Sequence, residues 1–176
     1  IDGTVKNVTV SRQGHHWFVA FQVELDVPDP VHPATANVGI DLGIATFAAF
    51  SEGALHPPLN AYRTHAAKKA RMQRRLAGMV KYSQNWKKQQ RRIARLDIRI
   101  ANCRHDFLHQ LSTETSKNHA VIGIENLQVR NMSRSARGTV EEPGHNVAAK
   151  SGLNTAILDQ GWGTFRRMLE YKQLWR

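Results

Sequence analysis

Short apolar segments lie on both sides of a long, proline-free helical stretch, and this order constrains the fold more than any other feature of the sequence. Residues 37–42 and 45–50 are predicted as successive strands joined through Gly43, and residues 120–127 (AVIGIENL) as a further strand. Residues 60–118 carry helical patterning without a proline. The sequence therefore predicts an α/β domain in which a helical insertion, residues 60–118, separates the strands.

Local signals divide this insertion into two helices. Gly78 is expected to end the first helix and Ser83 to cap the second. Along the second helix, apolar side chains recur at steps of three and four residues after an initial step of seven, which predicts one buried stripe. Its members are Trp86, Ile93, Leu96, Ile100, Cys103, Phe107 and Leu111.

The last helix is predicted from about Asp159 to Trp175, with Asp159 as its N-cap. Trp162, Phe165 and Leu169 share one face of it, which is typical of core packing. Before it, residues 130–154 are rich in Ser, Gly, Arg and Asn and are predicted as a long loop. That loop is either a lid, with Arg130, Arg134 and Arg137 against a nucleic acid, or a disordered segment.

Residues 4–27 are predicted as a β-hairpin that turns at Gly14. Trp17, Val19, Phe21, Val23 and Leu25 alternate with other residues, as in a half-buried strand. Because two strands alone are marginally stable in water, the hairpin is expected to belong to a larger sheet or to pack on the main domain. Three prolines within residues 28–33 predict a linker. The predicted domains are therefore 1–30 and 36–176.

Two of the apolar strands hold a single acid each. Asp41 lies among Val38, Ile40 and Leu42, so burial of its charge would cost several kcal/mol or more without compensation. Glu125 occupies a similar place in the later strand. Two acids on adjacent strands repel unless a proton or a cation intervenes, and Mg²⁺ prefers oxygen ligands. The alternative is structural, with Asp41 capping a turn and Glu125 pairing with an arginine.

Positive charge is concentrated in the helical insertion. The whole chain carries a net charge of +11, whereas residues 60–104 hold fourteen Lys and Arg and only one acid, Asp97. A folded domain this basic usually binds a polyanion. A merely solvated helix pair is the alternative, and a membrane surface is disfavoured because no exposed Trp or Phe cluster accompanies the charge. The expected phosphate contacts are Arg74, Arg75, Lys87, Lys88, Arg91, Arg92, Arg95 and Arg99.

Other kinds of site lack support in the sequence. The single cysteine, Cys103, excludes an internal disulfide and a Cys-only zinc ribbon within the chain. Zinc binding by Cys103, His105 and His109 is disfavoured, because the histidines are expected to face solvent. No G-x-S-x-G elbow or P-loop is present. With no apolar run near 20 residues and no visible signal peptide, a cytoplasmic protein is expected, and the start at Ile1 suggests an excerpt.

Three motifs in order resemble those of TnpB, also called OrfB, the RNA-guided nucleases of bacterial insertion sequences, which are related to type V CRISPR effectors. The motifs are VGIDLGIATFAAFS, VIGIENLQVRNM and SGLNTAILDQGWGTFRRMLEYK, and RHDFLHQLST resembles the helix before the second. The resemblance covers residues 36–176, while the hairpin is similar to the end of the N-terminal wedge domain of this family.

The resemblance implies a RuvC nuclease domain of ribonuclease H-like fold, with a mixed sheet flanked by helices. It implies Asp41 and Glu125 as two of three acids that bind Mg²⁺ or Mn²⁺, with a guide RNA and target DNA as partners. The third acid of the family, an Asp, lies beyond a four-cysteine zinc ribbon, and neither occurs here, so Zn²⁺ is expected only in that missing segment.

We therefore expect this chain to bind nucleic acid but to cleave it poorly or not at all. The alternatives are a non-catalytic nucleic-acid-binding module and a transposase proper, in which the chain itself performs strand transfer.

Overall fold

The computed structural model describes residues 2–14 and 16–176. These residues form a mixed α/β architecture with a small mixed sheet. Strands β3, β4, β5 and β6 form a sheet in the order β5-β4-β3-β6, in which β3 pairs antiparallel with β4 and parallel with β6. Strands β1 and β2 form a separate two-stranded sheet. In chain order, the elements are β1 Thr4–Gln13, β2 His16–Glu24, β3 Asn37–Leu42, β4 Ala48–Phe50, β5 Leu55–His56, α1 Ala61–Ala77, α2 Gln84–Asn118, β6 Val121–Ile124, α3 Val129–Met132, α4 Val147–Gln160 and α5 Trp162–Leu174.

The main core lies on one face of the four-stranded sheet. Val38, Ile40 and Leu42 of β3 point into it, together with residues from the second half of α2 and from α5. Phe47 and Phe165 are fully buried, and their rings meet edge to face with centroids 5.3 Å apart. Edge-to-face packing of this kind is favourable for aromatic rings. The strict alternation of buried and exposed residues along β3 shows that the sheet is covered on this face only.

The predicted burial of Asp41 is therefore wrong. Asp41 lies on the opposite face of β3 from Val38 and Ile40, and it is exposed. Hydrophobic neighbours in sequence do not surround a strand residue in space, because successive side chains point to opposite faces. The cost of desolvation consequently gives no argument for a bound cation.

Helix α2 has 35 residues, and two parts of it pack in two different hydrophobic cores. Leu96 and Ile100 pack with Ala61 of α1 in a small second core, whereas Leu108 and Leu111 pack in the main core under the sheet. The predicted stripe is correct for most of its members, but Cys103 is exposed and Leu108 takes its place inside. The buried face shifts at this point because the helix passes from one partner to the other.

The predicted boundary between the two long helices is confirmed. The Gly78 backbone N–H donates to the carbonyl of Arg74 at the end of α1. Ser83 precedes α2, and its Oγ accepts a hydrogen bond from the backbone N–H of Trp86 at 3.2 Å. Serine in this position satisfies a helix N–H group that would otherwise lack a partner.

Asp159 stabilises a helix other than the predicted one. It lies in the last turn of α4, and its carboxylate accepts hydrogen bonds from the backbone N–H groups of Tyr62 and Arg63 at 2.9–3.1 Å. These two residues open α1, so Asp159 supplies the N-terminal cap that Asn60 does not provide. Its side chain is buried, and Arg104 of α2 lies 3.4 Å away. The carboxylate thus ties α1, α2 and α4 together.

The predicted loop 130–154 is shorter than expected. Its last eight residues belong to α4 and its first three to α3, which leaves residues 133–146 without a helix or strand. The bridge between Gly138 and Pro143 closes this segment on itself. Asn154 also donates from Nδ2 to the carbonyls of Ser133 and Arg134, which fixes the start of the segment against α4.

The hairpin is present where the sequence predicts it. Val8 pairs with Phe21 and Val10 with Val19, and Gly14 in the turn has a φ of 63°. Both strands are largely exposed. The linker that follows is anchored at the end of α2, since Nε2 of His32 lies 2.8 Å from the carbonyl oxygen of Ser116. The assignment of residues 1–30 to a wedge-like domain stays a prediction.

Candidate functional site

Asp41 and Glu125 lie at the carboxyl ends of two adjacent parallel strands. In the register of β3 and β6, Val38 pairs with Ile122 and Ile40 with Ile124. Asp41 is the next residue of β3, and Glu125 follows the last residue of β6. Both residues are exposed. Since paired residues of parallel strands point to the same side of a sheet, a continuation of this register beyond β6 would set the two acids side by side at the uncovered face.

The uncovered face beside these acids carries two glycines. Gly39 and Gly123 pair with each other two residues before the acids. A Cβ atom added at either position would meet its nearest neighbour at 3.7–3.8 Å, which is ordinary van der Waals contact. Close packing therefore does not require glycine here. Glycine in a strand also marks a close approach to the backbone, and at Gly39 the side chain of Ser51 makes one, since its Oγ accepts a hydrogen bond from the Gly39 N–H at 3.0 Å.

The candidate metal site offers the carboxylates of Asp41 and Glu125. Across residues 2–14 and 16–176, no group of three or more His, Cys, Asp or Glu side chains is arranged to hold a metal ion. Of the later acids, Asp159 caps α1 and Glu170 pairs with Arg166 at 2.8 Å. Because Mg²⁺ keeps several waters and needs only one or two protein carboxylates besides phosphate oxygens, Asp41 and Glu125 fit its donor requirements.

Helix α5 fixes the chain just after Glu125. Nη1 of Arg166 donates to Oδ1 of Asn126 at 2.5 Å, while Nε of the same arginine donates to Glu170. Arg166 therefore bridges the end of β6 and its own helix. This contact was not predicted, because it joins residues 40 positions apart in sequence.

The basic residues of α2 form a continuous row. Lys87, Arg91, Arg95 and Arg99 recur every four residues, and residues four apart are neighbours on a helix surface. Twelve residues at 1.5 Å each give this row a length of about 18 Å. Lys88 and Arg92 lie beside it, and Arg74 and Arg75 belong to the last turn of α1. All eight predicted phosphate contacts are exposed.

These cations lack intramolecular partners. In the described part of the chain, none of the eight forms a salt bridge, and the one acid of the insertion, Asp97, pairs with Lys69 at 2.7 Å. A stabilising effect on the helix does not explain all eight of these cations either. Lys87 and Lys88 lie near the N-terminus of α2, where the helix dipole disfavours positive charge and no acidic residue compensates it.

A cleft of about 510 Å³ opens where the two basic helices meet. Arg75, Lys88 and Arg92 line it together with the polar side chains of Ser83 and Asn85. Three cations around one concave surface suit the oxygens of a phosphate group. The sequence shows that these three residues are basic, but it does not show that they lie close together in space.

The zinc site that the sequence disfavours would use three residues of α2. Cys103 is exposed, while the rings of His105 and His109 stack edge to face with centroids 4.5 Å apart. Burial lowers the pKa of His109 below its ordinary value of 6.5. The positive charge of Lys172 and the ring of His105 lower it further, against an opposing effect of Asp106.

No helix within residues 2–14 and 16–176 combines the length and the apolarity that a bilayer crossing requires. Comparison with known proteins then identifies relatives. Over its whole length, the chain is 53% identical to a protein of Escherichia coli (strain K12) named "Putative RNA-guided DNA endonuclease InsQ", of which it covers 44%. It is 37% identical over 169 residues to a "Putative RNA-guided DNA endonuclease" of Streptomyces pristinaespiralis, covering 96% of this chain and 38% of that protein.

The chain thus spans less than half the length of the curated relatives it matches. Residues 20–136, more than half of the chain, match the model of the OrfB_IS605 family, which is described as "Probable transposase". On this match and these identities, the chain belongs to the OrfB (TnpB) family of insertion-sequence proteins.

Proposed function

We propose that this chain is part of an RNA-guided DNA endonuclease whose nuclease domain is RuvC-like, with a ribonuclease H-like fold. The observation that carries the proposal is the parallel pairing of β3 with β6, because Asp41 lies near the carboxyl end of β3 and Glu125 directly follows β6. The names of the two relatives support the reaction class and a guide RNA with target DNA as partners.

In this proposal, Asp41 and Glu125 hold Mg²⁺ or Mn²⁺ through their carboxylate oxygens. The ion would supply Lewis-acid activation for phosphodiester hydrolysis. Gly39 and Gly123 present no side chain of their own on the sheet face beside the acids, which favours the approach of a sugar-phosphate backbone there. Arg166, through Asn126, restrains the segment that follows Glu125. It therefore acts as a positioning residue.

The unpaired cations of α1 and α2 hold the nucleic acid. Lys and Arg side chains gain affinity for a phosphate backbone by releasing condensed counterions, and they need no sequence-specific contact to do so. A row of cations about 18 Å long can follow several consecutive phosphates of one strand. The row therefore suits a guide or target backbone better than a small ligand.

A non-catalytic role of this chain by itself is the second candidate. It is favoured by the lack of a third acid beside Asp41 and Glu125 among the described residues. Two carboxylates bind a divalent ion more weakly than three, so the isolated chain is expected to bind nucleic acid but to cleave it poorly or not at all.

A metal titration separates the two candidates. Calorimetry with Mn²⁺ should show binding by the wild-type chain and a loss of affinity of at least roughly 10-fold in Asp41→Asn, which keeps the shape of the side chain but removes its charge. The matched control is Asp106→Asn, an exposed acid of α2. Equal Mn²⁺ affinity in the wild type and in Asp41→Asn would contradict a metal role for Asp41.

A further inference from the structure

The turn between α1 and α2 presents an exposed aromatic ring close to basic residues of both helices. Tyr82 is 74% exposed, and Lys81, Lys87 and Lys88 are its close neighbours in sequence. The N-terminal end of α1 is anchored by Asp159, and the 17 residues of α1 carry the chain about 25 Å from that anchor. The turn is thus the outer tip of the basic helix pair.

The backbone at Tyr82 has a conformation that tyrosine rarely adopts. The N–H of Ser83 donates to the carbonyl of Val80 at 3.2 Å, which closes a turn with Tyr82 at its third position. Its φ is 65°, and turns that require a positive φ there normally have Gly or Asn. A tyrosine therefore costs stability at this position. Strain of this kind often accompanies function.

Trp86 supports the ring of Tyr82 from the first turn of α2. The two ring centroids are 5.5 Å apart, with the planes tilted by 52°. Trp86 is itself half-buried, and the Ser83 cap holds its backbone. The tyrosine ring is therefore backed by a second ring on one side, while most of its surface remains open to solvent.

The cationic cleft lies beside the same turn, since Val80 and Ser83 line it. Ser83, the residue after Tyr82, lines the cleft together with Arg75, Lys88 and Arg92. An exposed aromatic ring next to a cluster of cations is the combination by which proteins bind single-stranded nucleic acids, since bases stack on the ring and the cations hold the phosphates. A duplex offers phosphates but no free base faces.

We propose that the α1–α2 turn is a binding site for unpaired nucleotides, in which a base stacks on Tyr82 and a neighbouring phosphate enters the cleft of Arg75, Lys88 and Arg92. The inference rests on the proposed function, because it assumes that the basic helices bind nucleic acid. It adds a preference for single strands at one end of that surface.

The test measures fluorescence anisotropy of labelled oligothymidylate, oligouridylate and a DNA duplex with the 176-residue chain. Tyr82→Gly should weaken binding of both single-strand probes roughly 5- to 150-fold, the usual effect of removing a stacked aromatic ring, and leave binding of the duplex unchanged. Tyr82→Phe keeps the ring and should bind like the wild type. The matched control is Tyr171→Ala, an exposed tyrosine of α5.

A loss of folded protein does not account for weaker binding by Tyr82→Gly. Glycine adopts a φ of 65° without strain, so the melting temperature of Tyr82→Gly should be no lower than that of the wild type. A larger loss with one of the two single-strand probes would identify RNA or DNA as the preferred strand.

Three results would overturn the site: wild-type single-strand affinity in Tyr82→Gly, an equal loss with the duplex, or a loss in Tyr82→Phe. If the wild type still binds the duplex, each of these results overturns the stacking site but leaves the proposed nucleic-acid binding by the basic helices intact. If the wild type binds no probe, the nucleic-acid part of the proposed function fails as well.

Discussion

At the scale of single residues, Asp159 shows how a side chain can decide the position of a helix far away in sequence. Its carboxylate lies 5% exposed between α1, α2 and α4, and it accepts hydrogen bonds from two backbone N–H groups of α1. The partial positive charge of a helix N-terminus favours a carboxylate in this place. Arg104 supplies a further positive partner.

We therefore predict that Asp159→Asn destabilises the fold by about 1–3 kcal/mol, because an amide keeps the shape but loses the charge-assisted hydrogen bonds. Urea unfolding followed by circular dichroism measures this change. Asp106→Asn, at an exposed position of α2, should alter stability by less than about 0.5 kcal/mol. A similar midpoint for both variants would show that Asp159 does not anchor α1.

The roles of single residues were the hardest feature to predict from sequence. Asp159 was predicted to cap its own helix, since an acid before an apolar periodic segment is a common start signal. The real partners lie 96 and 97 residues away, and no local pattern encodes them. The exposure of Asp41 was missed for a related reason, because sequence does not show which face of a strand is covered.

At the scale of elements, the basic row on α2 has a measurable consequence. Each phosphate that a cation neutralises adds about 0.9 to the slope of log K against log salt concentration on B-DNA. The double variant Arg91→Gln/Arg95→Gln should therefore lower the magnitude of that slope by about 1.8. Anisotropy titrations of a DNA duplex at several salt concentrations give the slope.

Lys6→Gln is the control for this experiment, because Lys6 pairs with Glu24 in the hairpin and lies outside the row. Its slope should equal that of the wild type. If the double variant keeps the full slope, the row on α2 does not contact phosphates, and the unpaired cations of α1 become the remaining candidates.

Elements with strong local signals were predicted well. Gly78 and Ser83 mark the helix boundaries, and the apolar segments mark β3 and β6, because caps, glycines and periodicity act within a few residues. The two-residue strand β5 carries no such signal and was missed. The first turns of α4 were predicted as loop, since their Ser, Gly and Asn residues favour turns until α1 and α3 pack against this helix.

At the scale of the whole molecule, the parallel pairing of β3 with β6 sets the carboxyl ends of these two strands side by side, and the two acids found there, Asp41 and Glu125, are 84 residues apart in sequence. The sequence suggested that these acids meet, but only the sheet order shows which ends of the strands are neighbours. The same chain path sends α1 and the first part of α2 away from the main core, so the cations of the helix pair form a surface built around its own small core. Metal-binding and strand-binding candidates thus lie on differently packed parts of the fold.

Contact between α2 and α5 makes the stability of the whole molecule depend on pH. Nζ of Lys172 in α5 donates to the carbonyl of His109 at 2.9 Å and to the hydroxyls of Ser112 and Thr113 at 2.7 Å. Burial lowers the pKa of Lys172, and the charge of Arg176 lowers it further. The adjacent His109 has a lowered pKa as well, so the folded chain resists adding a second positive charge at this interface.

The sign of the His109 effect follows from linkage. Because its pKa is lower in the folded chain, the unfolded chain binds more protons between the folded pKa and 6.5. Above 6.5 the ring is neutral in both states and contributes nothing. As pH falls below 6.5, stability is lost until the folded ring is also protonated, and below that point the loss is constant.

We therefore predict that His109→Gln loses less unfolding free energy than the wild type when pH is lowered through 6.5. Urea unfolding on both sides of that pH measures the difference. His145→Gln, at an exposed loop position, is the control for the general repulsion that nine histidines add to a basic chain. If His109→Gln keeps the wild-type pH dependence, the contact of α2 with α5 is not its source, and that general repulsion remains as the explanation.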